Sequence, residues 1–249
     1  MSEWFAYDWE LRGVPAQFHV DLQCAAALQK LTRHTTLLYL TCLTRQAAGS
    51  DFSCLERRRL DAVLKKSLRL LGESTLYAGY IDLPGQRRYY FYTDDARLLV
   101  PLFEYCGRER RLKLECTKAE EPNRQSYYRL LYPDAAKYQT ARNLRYIADM
   151  DSRGDDLAAP RRINLHFCFP VIRQPDPFLE EVRQQGFAIG QIDCNTAYEL
   201  PYSVTLHAVS ALDRVQLNAL TTKAILAAQQ YGGVFDRLDS QFVPKKRLR

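Results

Sequence analysis

Twice along this chain of 249 residues the apolar pattern passes through the same order, strand, helix, strand, strand, helix, strand, and that repeat most limits the folds open to it. In the first half, Thr36 to Leu43 (TLLYLTCL) is a strongly apolar strand. Phe52 to Leu71 follows as a helix whose Leu60, Val63, Leu64, Leu68 and Leu71 form one stripe. Leu76 to Asp82 and Arg87 to Thr93 read as a hairpin around Pro84-Gly85, followed by a helix over Asp94 to Tyr105 and a strand over Leu112 to Thr117. In the second half, Ile163 to Phe169 (INLHFCF) alternates as a strand does, Pro177 to Gln185 is a short helix, and Phe187 to Cys194 and Tyr202 to Ala208 are strands. Ala211 to Tyr231 has helical spacing, Gly232-Gly233 stops it, and Val234 to Arg237 forms a last strand.

The order predicts an α+β protein of two tandem ferredoxin-like (βαββαβ) domains, each an antiparallel sheet with helices on one face. Before the first repeat, Glu3 to Leu22 has hairpin character, and after it Pro122 to Tyr146 reads as a further helical segment. Ile147 to Arg162 (IADMDSRGDDLAAPRR) breaks the pattern with Gly, Pro and four acids, the composition of an exposed connection. The expected division is therefore 1–146, a linker at 147–162, and 163–249 with a basic tail. Such an order recurs among proteins of unrelated activity, so it speaks for architecture and not for function.

With 47% hydrophobic and 26% charged residues, the chain has the composition of a folded protein. Met1 to Glu10 carries three acids and lacks a signal-peptide pattern, and no apolar run approaches the roughly 20 residues needed to span a bilayer. A cytoplasmic protein without membrane contact is expected. The seven cysteines are odd in number, spread out and without a C-x-x-C pair, which argues against a disulfide framework and a zinc knuckle. The net charge of +6 resides in residues 1–146, with 23 Lys and Arg against 17 Asp and Glu, and in the terminal Pro-Lys-Lys-Arg-Leu-Arg.

Two groups in the first half suit a nucleic acid or an acidic partner. Arg58, Lys65 and Arg69 share one side of the helix over Phe52 to Leu71, away from its leucine stripe, and with Arg108, Arg110, Arg111 and Lys113 would form a basic patch. A solvated helix face carries the same pattern. Tyr90 and Tyr92 share a face of the strand RRYYFY, with Tyr39 as a companion, where an RNA recognition motif of this fold carries its stacking aromatics. The glycines of that motif are missing, and a half-buried tyrosine strand is the alternative.

The four histidines lack neighbours at metal-ligand spacing, although His166 and His207 fall in strands that would bring them towards each other. The acids Asp149, Asp151, Asp155 and Asp156 lack the calcium-loop pattern and read as linker solvation. There is no phosphate-binding loop, dinucleotide fingerprint, nucleophile elbow or H-E-x-x-H, so no catalytic, cofactor or metal residues are assigned and an enzyme is not expected.

The blocks FLEEVRQQGFAIG, ELPYSVTLHAVSALD and AAQQYGGVFDRLDSQFV, collinear from Pro177 to Val243, resemble the regulator of ribonuclease E activity B family (RraB). The aromatic cluster Trp4, Tyr7 and Trp9, the strand RYYFYT and the Tyr-rich segment Tyr127 to Tyr138 resemble the uncharacterised family called domain of unknown function 695 (DUF695), often fused in front of an RraB-like domain. The first resemblance implies non-enzymatic control of a ribonuclease, or another factor of RNA metabolism, through protein contact. Two departures stand out: Arg237 and Leu238 replace the Gly-Trp that the family tends to have, and the domain is near neutral where the well-known member is strongly acidic. A partner contact is expected over Tyr198, Glu199 and Tyr202 and over Phe235, Asp236, Arg237 and Asp239. Two other roles stay open: an immunity protein neutralising a bacterial toxin, and an RNA-binding protein acting through the basic first domain. The oligomeric state is not fixed by the sequence.

Overall fold

The computed structural model describes residues 2–46, 50–172 and 176–245; of the basic tail, 246–249 lie outside the described residues. Two units emerge, Met1–Pro133 and Asp134–Arg249, each a mixed α+β arrangement around an antiparallel sheet.

In the first unit, β1 (Trp4–Leu11) and β2 (Val14–Asp21) form the expected hairpin. A short helix, α1 (Cys24–Lys30), leads into β3 (Thr36–Leu43), α2 (Cys54–Leu71), the hairpin β4 (Leu76–Leu83) and β5 (Gln86–Thr93), α3 (Leu99–Arg108) and β6 (Lys113–Glu120). The strand order β1-β2-β4-β5-β3-β6 is a ferredoxin-like sheet extended at the β4 edge by the N-terminal hairpin. One face of β3 and β5 gives Leu38, Leu40, Cys42, Tyr89 and Phe91 to a core with Leu60 and Val63 of α2 and Leu102 of α3.

Helix α2 begins at a capping box in which Ser53 Oγ accepts from Glu56 N (3.2 Å) and Glu56 Oε2 accepts from Ser53 N (2.9 Å). Buried Glu56 also accepts from Thr44 Oγ1 (2.9 Å) and Arg45 N (3.0 Å), so the carboxylate ties the end of β3 to the helix start. Burial alone would raise its pKa. The backbone N–H groups of Arg45 and Ser53 and the two hydroxyls outweigh that, and hold it at about 2.

The second face of this sheet is covered as well. Glu121 and a six-residue helical turn, Ser126–Leu131, bury Tyr127 and Leu131, and the helix expected over 122–146 is interrupted there. Tyr127 donates from its hydroxyl to Asp21 O (2.8 Å) and from its backbone N to Tyr92 Oη (3.0 Å), while Tyr7 donates to Leu131 O (2.8 Å).

The second unit begins with α4 (Ala135–Ser152), N-capped by Asp134. It continues with β7 (Arg161–Phe169), α5 (Pro177–Gln184), β8 (Ala188–Cys194), β9 (Tyr202–Ser210), α6 (Arg214–Gln230) and β10 (Val234–Ser240). The order β10-β7-β9-β8 is that of a ferredoxin-like fold, as the element order predicted. Ile163, Leu165, Phe167 and Phe169 of β7 are buried, and Phe167 and Phe169 meet Phe178 of α5 at ring distances of 6.1 and 4.6 Å. Helix α4 packs on α6, where buried Asn143 donates to Asn218 Oδ1 and Thr221 Oγ1, each at 2.9 Å.

The stretch 147–162 departs from the expected solvated linker. Its first residues continue α4, and Asp155 is fully buried against Arg161, whose Nη1 lies 2.6 Å from both carboxylate oxygens. Val243 N donates to Asp155 Oδ2 (2.8 Å) and Arg161 donates to the carbonyls of Asp156 and Gln241, so the pair fastens the chain after β10 to the α4–β7 connection. Asp156 N–Val243 O (2.6 Å) and Lys245 N–Gly154 O (2.9 Å) complete the join. Asp149 and Asp151 are solvent-exposed as expected, and Asp155 is the exception, because a charge count does not reveal a buried partner.

Removing one member of a buried ion pair strands the other, so Asp155→Ala is expected to destabilise the second unit by about 3–5 kcal/mol, measured by urea unfolding. Glu56 has a folded pKa of about 2 against an ordinary 4.5, so its stabilisation is complete above pH 4.5 and lost as pH falls towards 2. The acid limb of an unfolding-versus-pH curve should therefore flatten in Glu56→Gln, with lower stability at neutral pH.

Candidate functional site

Strand β7 alternates between the helix side and solvent, and its outward residues Arg162, Asn164, His166 and Cys168 belong to the sheet face away from Phe178 of α5, on which no helix of this unit packs among the described residues. The register sets Val209, His207, Thr205 and Ser203 of β9 opposite them. On the other side of β7, β10 supplies Val234 opposite Cys168, Arg237 opposite His166 and Asp239 opposite Asn164. A bulge between Phe235 and Arg237 makes this possible, because it absorbs Asp236 and returns Arg237 and Asp239 to the face that Val234 occupies.

Asp239 is the centre of a continuous network on that face. Asn164 Nδ2 donates to Oδ1 (2.6 Å), and His166 Nε2 donates to Oδ2 (2.7 Å). In the neutral imidazole, His166 Nδ1 then accepts from Thr205 Oγ1 (3.1 Å). His207 Nδ1 lies 2.8 Å from Asn164 Oδ1 and donates to it. Burial acts to raise the Asp239 pKa, but the bonds from Asn164 and His166 and the charge of Arg237 hold it below the ordinary carboxylate range. The His207 pKa is lowered by burial first, then by Arg162 and His166. His207 also covers Gly190 of β8: a Cβ built there would lie 2.2 Å from Nε2.

These groups hydrogen-bond one another, so the arrangement holds an ordered polar surface. Around it stand the exposed Val209 and Val234, at 76% and 53%, and the solvent-facing Arg162 and Arg237. Among the described residues no group of three or more His, Cys, Asp or Glu is placed to hold a metal ion, and no helix is long and apolar enough to cross a membrane.

The expected partner residues are dispersed. Arg237 and Asp239 are on the uncovered face, and Asp236 is exposed in the bulge, bonded to Arg237 at 2.7 Å. Phe235 turns the other way and meets Phe167 edge-on at 5.2 Å. Tyr198, 69% exposed, and Glu199 belong to the β8–β9 turn, closed by Asn195 N–Pro201 O (2.7 Å). Tyr202 shares the helix-side parity of Val204 and Leu206 and is half-buried. The turn joins β8 and β9, while β10 forms the opposite edge of the sheet. Asn164 and Thr205, which connect the network, went unnoticed in the sequence; the alternation of β7 and β9 was the signal available.

In the first unit Arg58, Lys65 and Arg69 are all exposed on α2. Tyr90 and Tyr92 correct the expectation of a stacking platform, for they are 1% and 0% exposed. Tyr92 donates to Glu121 Oε2 (2.8 Å), and Tyr90 meets Tyr39 edge-on at 5.4 Å. Burial first, and then Glu121, raise the Tyr92 pKa, keeping it a neutral donor. The face that would receive bases is filled by the protein's own chain.

With this geometry in place, residues 140–238 match the model of the family described as Regulator of ribonuclease activity B. The match runs from within α4 to Leu238 in β10 and so spans nearly all of the second unit. No curated protein matches the chain.

Gly190→Ala forces the His207 ring aside and removes its bond to Asn164. The expected cost is about 1 kcal/mol, and the His207 pKa should rise towards the ordinary value in an NMR titration. An unmoved titration would show that the ring is not held by this contact.

Proposed function

We propose that the second unit is a non-catalytic regulator that docks a protein partner, a ribonuclease or another factor of RNA metabolism, on the uncovered face of β10, β7 and β9. The observation carrying this reading is the coincidence of the ribonuclease-regulator match with a complete ferredoxin-like unit whose open face is polar, ordered and ringed by exposed valines and arginines. An interface needs apolar surface to desolvate and satisfied polar groups beside it. Val209 and Val234 supply the first, and the Asp239 network supplies the second. Arg162 and Arg237 flank the same face and favour an acidic counterpart. The Tyr198–Tyr202 turn extends the contact at the other edge in this reading.

The DUF695 resemblance of the first unit adds no activity to this proposal. The uncovered face acts by occupying part of the partner, and the polypeptide does no chemistry of its own.

A tagged full-length chain, used for capture from its native cells with and without nuclease treatment, should recover one ribonuclease-associated protein equally in both. Purified, that protein should change its RNA-cleavage rate when the chain is added. The double variant Val209→Asp/Arg237→Asp should weaken capture at least about tenfold while leaving the melting temperature within a few degrees. Undiminished capture by that variant removes the face assignment; a cleavage rate indifferent to the chain removes the regulatory reading.

A further inference from the structure

On α2 the residues at the centre of the solvent side are Arg58, Lys65 and Arg69, seven and then four positions apart, so they stand in one row about 16 Å long at 1.5 Å per residue. None of the three makes an ion pair among the described residues. Part of the negative charge on α2 is turned inward. Of the two acids on α2, Glu56 is buried and spends its oxygens on Ser53, Thr44 and Arg45, leaving Asp61 as the one that faces solvent.

Glu109, 6% exposed, behaves in the same way at the end of α3. It pairs with Arg59 of α2, and its Oε1 accepts from the backbone N–H groups of Arg110 (3.1 Å) and Arg111 (2.8 Å). Burial would raise its pKa, and these donors lower it, so the group stays ionised but hidden. The bonds pin the Arg110–Arg111 turn to α2 with both side chains exposed. Glu109 thus ties the turn after α3 to α2 through Arg59 while its own charge stays buried.

We propose that this surface binds the phosphodiester backbone of a nucleic acid, without reading its sequence. The row is convex, is built of Lys and Arg, and has no aromatic residue among its members. Protein-interface cores are depleted in Lys and enriched in aromatics, whereas phosphate contacts need just such unpaired, extended cations. The buried Tyr90 and Tyr92 play no part in it. This inference is independent of the partner-docking face of the second unit.

The test is fluorescence anisotropy of a labelled 20-nucleotide single strand, as RNA and as DNA of the same sequence, with the full-length protein across a salt series. Three phosphate contacts predict that binding weakens about 20-fold between about 50 and 200 mM salt, from a slope near −0.7 per contact on single strands. Arg58→Gln/Lys65→Gln/Arg69→Gln should lower affinity at least about tenfold and make the log–log slope shallower by about 2. Arg129→Gln/Arg142→Gln/Arg145→Gln, an equal loss of charge elsewhere, should do much less. Equal binding of RNA and DNA places recognition in the phosphodiester, and a preference for RNA adds its 2′-hydroxyl; both support the proposal. Equal loss in the two triple variants, absence of binding at low salt, or binding of polyglutamate with neither nucleic acid bound would overturn it. Unchanged thermal transitions by circular dichroism establish that each variant folds.

Discussion

A β-strand sends successive side chains to opposite faces, and what each sheet can offer to another molecule follows from how its strands use that alternation. Strand β7 keeps strict time, with Ile163, Leu165, Phe167 and Phe169 inward and Arg162, Asn164, His166 and Cys168 outward, so one face is a core and the other a surface. Strand β5 does not alternate: Tyr89, Tyr90, Phe91 and Tyr92 are all buried. Four consecutive aromatics need cover on both sides, and the turn Ser126–Leu131 supplies it on the side away from α2 and α3. The same strand order thus gives an open polar face in one unit and a closed one in the other.

Buried acids hold the connections that these sheets require. Glu56 fixes the loop before α2, Glu121 fixes the covering segment through Tyr92 and Ser126, Glu109 fixes the turn after α3, and Asp155 fixes the last described segment through Arg161. In each case the carboxylate accepts from hydroxyls, backbone N–H groups or a guanidinium, which offsets the cost of taking the charge out of water. There is a second effect on the outside. Glu56 is satisfied by hydroxyls and backbone N–H groups without engaging a cation, so its burial takes an acid from the surface of α2 and leaves the basic residues there in place.

Much of this architecture was legible in the sequence. Thr36–Leu43 was bounded correctly by its apolar run, and both βαββαβ orders follow from period and punctuation. The seven-residue α1 was not seen, being short and without a side-chain cap. The interruption before α4 did carry a signal, since Pro133 followed by Asp134 is a break and an N-cap, but the Tyr-rich composition around it masked the boundary. RRYYFY fits either a stacking face or a half-buried strand by alternation, whereas an unbroken aromatic run argues for burial on both sides. The burial of Asp155 and the gathering of Asn164, His166, Thr205 and His207 around Asp239 depend on contacts between distant segments, and the bulge at Asp236 that aligns Arg237 and Asp239 has no local mark.

That bulge also changes how the departure at Arg237-Leu238 should be understood. If parity ran unbroken from Val234, Leu238 would face solvent and Arg237 would turn inward. With Asp236 absorbed, Leu238 pairs with the buried Leu165 on the helix side, and Arg237 stands opposite His166 on the uncovered face. A tryptophan in place of Leu238 would accordingly contribute to packing under the sheet, and its absence does not remove an anchor from the outer surface. The change that a partner would feel is the other one, an arginine where the resembling family tends to have glycine. It adds a cation and a long aliphatic stem beside Asp239 and Val234, on the face that the docking proposal uses. Its guanidinium is bonded to the exposed Asp236 at 2.7 Å, so the cation is held in place at the edge of that face by a neighbour in its own strand.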